Sequence, residues 1–297
     1  MGRKVLVVVN AIAGRGLAAW AVPRFVAALR AEGGEAEVRT TAARGDAALA
    51  AREARGVDAV VVAGGDGTVG EVLNGLDGSD LPLALLPLGT ANLLARDLAI
   101  PFDPEGAARV AARGVPRTID AGVVAAAGAE ERRFVCVVGV GFDAAVVRAV
   151  AAGRSGGLGF RGWIGPVLRV GWTYAFPTIR VSIDGAAPVA ATVAVACNTR
   201  NYGGLFTLVP DARPDDGRLS LCLVDARRRR SVFRYLWGAW RGTLARQSDV
   251  RTAACRAVSV ESDGPVPVQA DGDPCGTTPV RIEVRPGAAR VLVAEGA

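Results

Sequence analysis

One stretch narrows the possible folds more than any other: Val62-Ala63-Gly64-Gly65-Asp66-Gly67-Thr68-Val69-Gly70-Glu71-Val72-Leu73-Asn74-Gly75-Leu76. An apolar run ends in a glycine turn. Val69, Val72, Leu73 and Leu76 then recur at i, i+3, i+4 and i+7, one face of a helix. Strand, glycine turn and helix in that order bring backbone N–H groups and the positive end of a helix dipole to one point, which suits a polyphosphate. Glycine allows the close approach. Asp66 sits inside this anion-binding loop, and a carboxylate beside phosphate implies a metal ion or a proton acceptor. The loop therefore points to phosphoryl transfer rather than to passive nucleotide binding. Thr68 is placed to cap the helix or touch a phosphate, and Glu71, one turn later, to add a second carboxylate. A bare glycine turn with Asp66 as a simple cap is the competing reading; the strand before it and the Asn74-Gly75 ending after it weigh against that.

The stretch belongs to a series. Residues 5–9, 36–41, 57–63 and 83–88 read as strands, and residues 17–31, 45–55 and 91–98 as helices, a βαβ succession that favours a parallel sheet covered on both faces. Ligands of such sheets collect at the carboxyl ends of the strands, where Asn10, Thr41, residues 64–68 and residues 89–92 fall. After about Thr118 the character changes. Short β-like runs (134–138, 179–183, 189–196, 219–224, 258–260, 266–269, 280–284, 291–294) alternate with Gly, Pro and Asp turns, interrupted around residues 148–176 and 227–247. The fold expected is an α/β N-terminal domain with a parallel sheet over residues 1–120. A β-rich, largely antiparallel C-terminal domain follows over residues 121–297, and its last strand is free to pack back on the first domain.

Composition removes several chemistries. The 297 residues contain no histidine, which excludes His-dependent triads, His metal clusters and imidazole acid–base catalysis, so a general base has to come mainly from Asp or Glu. The five cysteines, Cys136, Cys197, Cys222, Cys255 and Cys275, are scattered and odd in number, which argues against a disulfide framework or a zinc site. No apolar run approaches the ~18–20 residues of a membrane span. The chain starts on a strand-like run, and Leu6 at the sixth position spoils a myristoylation signal, so a soluble cytoplasmic protein is expected. The net charge of +6 comes almost wholly from arginine, Lys4 being the one lysine. It reads equally as solubility and as attraction to nucleotides or anionic membrane.

Further blocks follow the loop in order: Pro87-Leu88-Gly89-Thr90-Ala91-Asn92-Leu93-Leu94-Ala95-Arg96, Val138-Gly139-Val140-Gly141-Phe142-Asp143, Asn198-Thr199-Arg200-Asn201-Tyr202-Gly203-Gly204, residues 210–219, and Gln269-Ala270-Asp271-Gly272-Asp273. Together with the loop they resemble the diacylglycerol kinase catalytic-domain family, which includes bacterial lipid kinases, sphingosine kinases and ceramide kinases, over almost the whole chain. The resemblance implies a nucleotide-binding α/β domain and a β-rich domain with the active site between them, ATP as donor, Mg2+ as cofactor and a lipid hydroxyl, diacylglycerol-like or sphingoid, as acceptor. It implies that Asn10, Thr41, Gly64, Gly65, Gly67, Thr68, Gly89, Thr90 and Asn92 bind nucleotide. Asp66 and Glu71 would serve metal and phosphate. Asp271 would take the hydroxyl proton, with Asp66 the alternative base, and Asp273 would hold metal. Asp216, with nearby carbonyls, would hold a structural cation. Three departures from the family pattern stand out: Asn10-Ala11-Ile12-Ala13-Gly14 lacks a proline, Leu93 replaces an acid, and Asp273 replaces a glutamate. Arg15, near the first loop, reads equally as a phosphate partner and as a solvated arginine.

An Asp base makes sense without the resemblance, because a transferring phosphoryl group is already electrophilic and needs alignment, charge neutralisation and a proton acceptor. A plain turn at Asp271-Gly272 and a solvated loop at Asp211, Asp215 and Asp216 are the competing readings, although hard cations favour such carboxylates. Residues 227–241 join a basic cluster to aromatics at helical spacing. Residues 157–176, with Phe160, Trp163, Trp172, Tyr174 and Phe176, form another amphipathic candidate. Either segment reads as a membrane-facing lip or as core packing. The function expected is an ATP-dependent lipid kinase acting at the inner face of the membrane, with a lipid substrate, no nucleic acid, and a homodimer as a further possibility. A NAD kinase-like phosphotransferase and a non-catalytic nucleotide- or lipid-binding regulator are the alternatives; a phosphofructokinase fits the remaining motifs poorly.

Overall fold

Four apolar runs set the first layer. In the computed structural model, which describes residues 2–11, 16–153, 161–226 and 231–296, the chain forms two units. The first holds the described residues up to Ile119 and from Gly287 on, the second those from Asp120 to Pro286. In the first unit the order is β1 (Lys4–Asn10), α1 (Leu17–Ala31), β2 (Glu35–Thr41), α2 (Asp46–Arg52), β3 (Ala59–Gly64), α3 (Asp66–Gly75), β4 (Leu83–Pro87), α4 (Leu93–Asp97) and α5 (Pro104–Arg113). The strands run parallel in the order β2-β1-β3-β4. Every residue of β3 and β4 is buried, as expected of parallel strands covered on both faces. The helix α5 is absent from the sequence expectation, although Asp103-Pro104 announces it. Asp103 accepts from the Gly106 N–H at 2.7 Å as N-cap, and Pro104 occupies the first turn, where its missing N–H costs nothing.

The chain passes into the second unit through β5 (Val115–Ala127). The second unit continues with β6 (Arg132–Phe134), β7 (Val137–Val140), α6 (Phe142–Ala152), α7 (Arg161–Thr173), β8 (Ile179–Ile183), β9 (Val189–Ala191) and β10 (Val193–Cys197). Then come β11 (Asn201–Tyr202), β12 (Phe206–Thr207), β13 (Leu219–Val224), α8 (Ser231–Trp240), β14 (Val250–Cys255), β15 (Ala257–Ser262), β16 (Pro267–Ala270) and β17 (Asp273–Val293). Its strands pair antiparallel, with β14-β13-β10-β7-β16 side by side and β15 between β17 and β8. A shared core includes Phe134, Ile179, Leu219, Leu221, Val258, Val260 and Ile282. Full burial of the larger of these side chains contributes about 1.5–3 kcal/mol each.

Three details depart from the sequence reading. The strand read at residues 134–138 is broken into β6 and β7, because the N–H groups of Val135, Cys136 and Val137 turn to a carboxylate, Asp271. The run 189–196 breaks at Thr192, whose N–H and hydroxyl both donate to the Val224 carbonyl. The two last runs are one strand, β17, whose final part returns to the first unit, where Val291 pairs in parallel with Leu83.

Candidate active site

In the first unit β1, β2, β3 and β4 end at Asn10, Thr41, Gly64 and Pro87, so the residues singled out by the motifs gather at one end of the sheet. Asn10 donates its amide to the Thr68 hydroxyl at 3.1 Å. Thr68 lies so close to Gly64 that a Cβ there would stand 2.7 Å from the Thr68 oxygen. The two glycine loops touch each other: a Cβ on Gly65 would lie 3.0 Å from Gly89 Cα, and one on Gly89 only 2.5 Å from Gly65 Cα. Asn92, in left-handed conformation (φ 47°), closes the second loop by accepting from the Gly89 N–H at 2.8 Å and donating to the Gly89 carbonyl at 2.9 Å. The start of α3 has an extended Gly65 as N-cap and no side-chain cap. Its first N–H groups suit an oxyanion. The cavity at the loops is only about 10 Å3, so a nucleotide would lie upon them rather than inside.

Asp66 and Glu71 have other partners. The Asp66 carboxylate accepts from Leu93 N–H at 3.0 Å and Leu94 N–H at 3.3 Å, tying the glycine loop to the start of α4. Glu71 accepts from Gly45 N–H at 3.2 Å and so faces the loop before α2. Thr41 donates to the Val9 carbonyl at 3.3 Å. No group of three or more metal-ligating side chains occurs among the described residues. With their carboxylates engaged by backbone N–H groups, Asp66 and Glu71 do not make a protein-held metal cage. A Mg2+ at such a loop would rest mainly on phosphate oxygens and water.

In the second unit Asp271 and Gly272 form the two-residue turn between β16 and β17, both with positive φ (50° and 84°), the type I′ geometry that Asp-Gly favours. The turn read as an alternative to catalysis is therefore present, and it carries more than a turn. The Asp271 carboxylate reaches across to the link between β6 and β7 and accepts from Val135 N–H at 2.8 Å and from Cys136 and Val137 N–H at 2.9 Å each. Three donors on one carboxylate fix its direction. Arg132 clamps the same hairpin by donating to the carbonyls of Ala270 and Asp273, each at 3.1 Å.

Asp216 is exposed, and its carboxylate accepts from Arg218 N–H at 3.0 Å in a local turn. The buried acid that organises this loop is Asp120, which takes Gly217 N–H at 2.6 Å while its own N–H donates to the Pro214 carbonyl at 2.6 Å. Sequence reading passes over Asp120 because its partners lie about a hundred residues downstream. The five cysteines are buried thiols, and burial pushes Cys222 and Cys255 up to about 12, which leaves them unreactive. Arg15, Phe160 and Arg227 to Arg230 lie outside the described residues.

A further acid sits inside the block of residues 138–143. Asp143 opens α6, and its Oδ2 accepts from Gln269 Nε2 and the Tyr202 hydroxyl, both at 3.1 Å. A Cβ on Gly139 would lie 1.7 Å from that Oδ2, so glycine there gives the carboxylate its room. Gly141, at φ 106°, turns the strand into the helix. Burial pushes the Asp143 carboxyl above its ordinary value, against the pull of Gln269, Tyr202 and the N–H groups of Ala144 and Asp143.

A parallel sheet ending in paired glycine loops, followed by an antiparallel β unit with a carboxylate-bearing hairpin, defines a kinase-type architecture. The family model of the diacylglycerol kinase catalytic domain matches residues 4–124, and that of the YegS C-terminal NAD kinase beta sandwich-like domain matches residues 136–293. The chain belongs to the diacylglycerol kinase and YegS-like lipid kinase family. It is 32% identical to a diacylglycerol kinase of Mycobacterium tuberculosis over 294 residues, covering 97% of this chain and 94% of the relative. It is 30% identical to a protein of Chromohalobacter salexigens named "Probable lipid kinase YegS-like", covering 93% and 89%. The fold matches the crystal structure of a diacylglycerol kinase from Bacillus anthracis with a TM-score of 0.75 at 23% identity, over 99% of this chain and 98% of the other.

Proposed function

We propose that the protein transfers the γ-phosphoryl group of ATP to the hydroxyl of a diacylglycerol-like or sphingoid lipid. The observation that carries this reading is the contact between the Gly65 and Gly89 loops at the carboxyl end of a parallel sheet, in a chain of this family. Backbone N–H groups of Gly64, Gly65, Gly67 and Gly89, with Asn10, Thr41, Thr68, Thr90 and Asn92, hold the phosphates. ATP would supply the phosphoryl group, and a Mg2+ bound with it would offset the phosphate charge. Asp66 keeps the loop and α4 in register, beside the phosphates. Asp271, held by three N–H groups, orients the acceptor hydroxyl and takes its proton late, which suits a phosphoryl transfer that needs alignment more than a strong base. Asp273 and Asp216 serve as supporting oxygen ligands when a cation is bound.

The lipid side rests on two exposed stripes. Phe233, Trp237 and Trp240 on α8 are 63%, 60% and 55% exposed, and Ile164, Leu168 and Trp172 on α7 recur at i, i+4 and i+8 with Trp172 78% exposed. The side-chain packing read as an alternative applies to Phe176, which stacks on Phe142, and to Tyr174, which meets Phe142 edge-on; these six side chains are exposed. Arg241 lies over the Trp237 ring. No helix among the described residues is long and apolar enough to cross a membrane. We assign these stripes to an anionic bilayer surface, where tryptophan and arginine together are favoured. The test is a radiolabelled ATP assay against diacylglycerol, sphingoid base, ceramide, phosphatidylglycerol and a polyprenol, with NAD as control acceptor. Labelled lipid is the expected product. Labelled NAD alone would transfer the reading to the NAD kinase alternative.

A further inference from the structure

In the first unit β2 is the outermost strand of the parallel sheet and pairs with β1, and no strand lies along its other side among the described residues. Every residue of β3 and β4 is buried, yet none of β2 is. Open edges are usually blunted by a bulge, a proline, a very short strand or a covering element. On β2 the seven residues Glu35-Ala36-Glu37-Val38-Arg39-Thr40-Thr41 keep an unbroken register with β1 and include no proline. Val38, at the middle, is 46% exposed, an apolar β-branched side chain on an open edge. Its two neighbours are charged. Arg39 Nε donates to Glu37 Oε1 at 2.9 Å, and Arg39 Nη1 meets Glu53 Oε2 at 3.3 Å. Glu37 and Arg39 therefore share one face of the sheet, and Val38 points to the other. All three charged side chains are more than a third exposed, and ion pairs that open are weak and readily shared with a further partner.

The order of residues along β2 is self-complementary about a two-fold axis. Laid antiparallel to a second copy of itself with Val38 opposite Val38, the strand sets Glu37 opposite Arg39 and Arg39 opposite Glu37. Ala36 then faces Thr40, and Glu35 faces Thr41. Unlike charges meet on one face and the two valines on the other, the cross-strand pairs that stabilise an antiparallel ladder. Neighbouring registers lose this. Centred on Glu37 the strand opposes two carboxylates, centred on Arg39 it opposes two guanidinium groups, and neither makes a valine pair. A parallel pairing in register sets like against like throughout. We propose that β2 is a dimerisation edge that pairs antiparallel with β2 of a second copy about an axis at Val38. The sheets of the two first units then become continuous, and the outer N–H and C=O groups of both strands find partners. Because the same edge is used by both copies, the contact closes on itself and gives a dimer rather than a fibre. One seven-residue strand per copy is a small contact, so the dimer is weak and reversible. This inference does not rest on the kinase reading.

The experiment is sedimentation velocity of the full chain from about 3 to about 300 µM, a range suited to a weak interface. The wild type should pass reversibly from monomer to dimer. The charge variants are compared in a Glu53→Gln background, so that the second partner of Arg39 does not enter. Arg39→Glu opposes carboxylate to carboxylate twice and should weaken the dimer about tenfold or more. Adding Glu37→Arg to Arg39→Glu reverses both signs, opposes unlike charges again and should return the affinity to within about threefold of the parent. Thermal melts should stay close to the parent, because these side chains are exposed. Cross-linking reads the register. Val38→Cys treated with a short bismaleimide should link to its own copy. Glu35→Cys should not, since its two copies lie about 20 Å apart in this pairing. The native cysteines are buried, so the wild type should stay unlinked. A chain that stays monomeric at about 300 µM overturns the self-pairing and leaves the edge to a strand of another protein. A dimer that Arg39→Glu leaves intact, a double reversal that does not restore what Arg39→Glu removed, or linking through Glu35→Cys in place of Val38→Cys overturns it equally.

Discussion

Replacing Asp271 by Asn separates its structural role from its chemical one, and the structure sets the size of both. Asn tolerates the left-handed turn conformation that Asp271 adopts, so the backbone of the turn survives. The hydrogen bonds do not all survive. If the amide oxygen keeps Cys136 and Val137 N–H, the amide nitrogen faces the buried Val135 N–H, which Asp271 Oδ2 now receives at 2.8 Å. One charge-assisted bond is lost and one buried donor is left opposite another donor. Together these cost about 2–3 kcal/mol. For a unit of this size that corresponds to a fall in melting temperature of about 5–10 °C. Differential scanning calorimetry of both proteins should show it, while equilibrium binding of ATP stays within about twofold and lipid phosphorylation drops by about 100-fold or more, at the lower end of what a lost acid–base group removes. A melting temperature unchanged to within about 1 °C would refute the hydrogen-bond accounting, since the lost bonds predict several degrees. Near-normal turnover would refute the assignment of proton acceptance to Asp271.

Three further outcomes follow from named contacts. The Asp143 carboxyl is raised above its ordinary 3.8, so the folded protein holds this proton more tightly than the unfolded chain. Its stabilising contribution is complete below about pH 4 and is lost as pH rises through the folded value. Asp143→Asn should therefore gain about 1–3 kcal/mol on the wild type at about pH 8 and almost nothing at about pH 3. Urea melts across that range check it, and a gain that shrinks with rising pH contradicts it. Gly89→Ala forces a methyl to within 2.5 Å of Gly65 Cα, backbone against backbone. The loops must separate, so ATP affinity should fall about tenfold or more at a stability cost of about 1–3 kcal/mol, read by calorimetric titration beside a thermal melt. Phe233→Ser with Trp237→Ser should leave the melt almost unchanged, because both rings are exposed, yet cut co-sedimentation with anionic vesicles about tenfold. Wild-type binding indifferent to lipid charge and salt would remove the membrane surface as partner.

Much of the first unit is legible from local pattern. The runs of β1, β3 and β4 are continuous and apolar, α3 repeats its apolar residues at helical spacing, and the glycine loops fall where such strands end. Asp103-Pro104 shows that α5 was also written locally, in capping residues rather than in periodicity. The second unit is less legible. Its strand at residues 134–138 has the right composition throughout, but a carboxylate 134–136 residues away claims three of its N–H groups and splits it. The Asp-Gly turn at Asp271 was readable from two residues; what its carboxylate does was not.

The same division runs through the site. The sequence alone determined the strands, the helices, the glycine positions and the absence of imidazole chemistry, because those depend on neighbours within a few residues or on composition. Only the tertiary structure decided what each acid touches. Asp66 meets α4, Glu71 meets Gly45, Asp120 meets Gly217, and Asp143 meets Tyr202 and Gln269, partners 26 to 126 residues apart. A carboxylate is recognised in sequence by its identity, but its role is set by which donors the fold brings to its two oxygens. In Asp143, and not in Asp271 or Asp66, the fold leaves one of those oxygens buried and without a partner among the described residues.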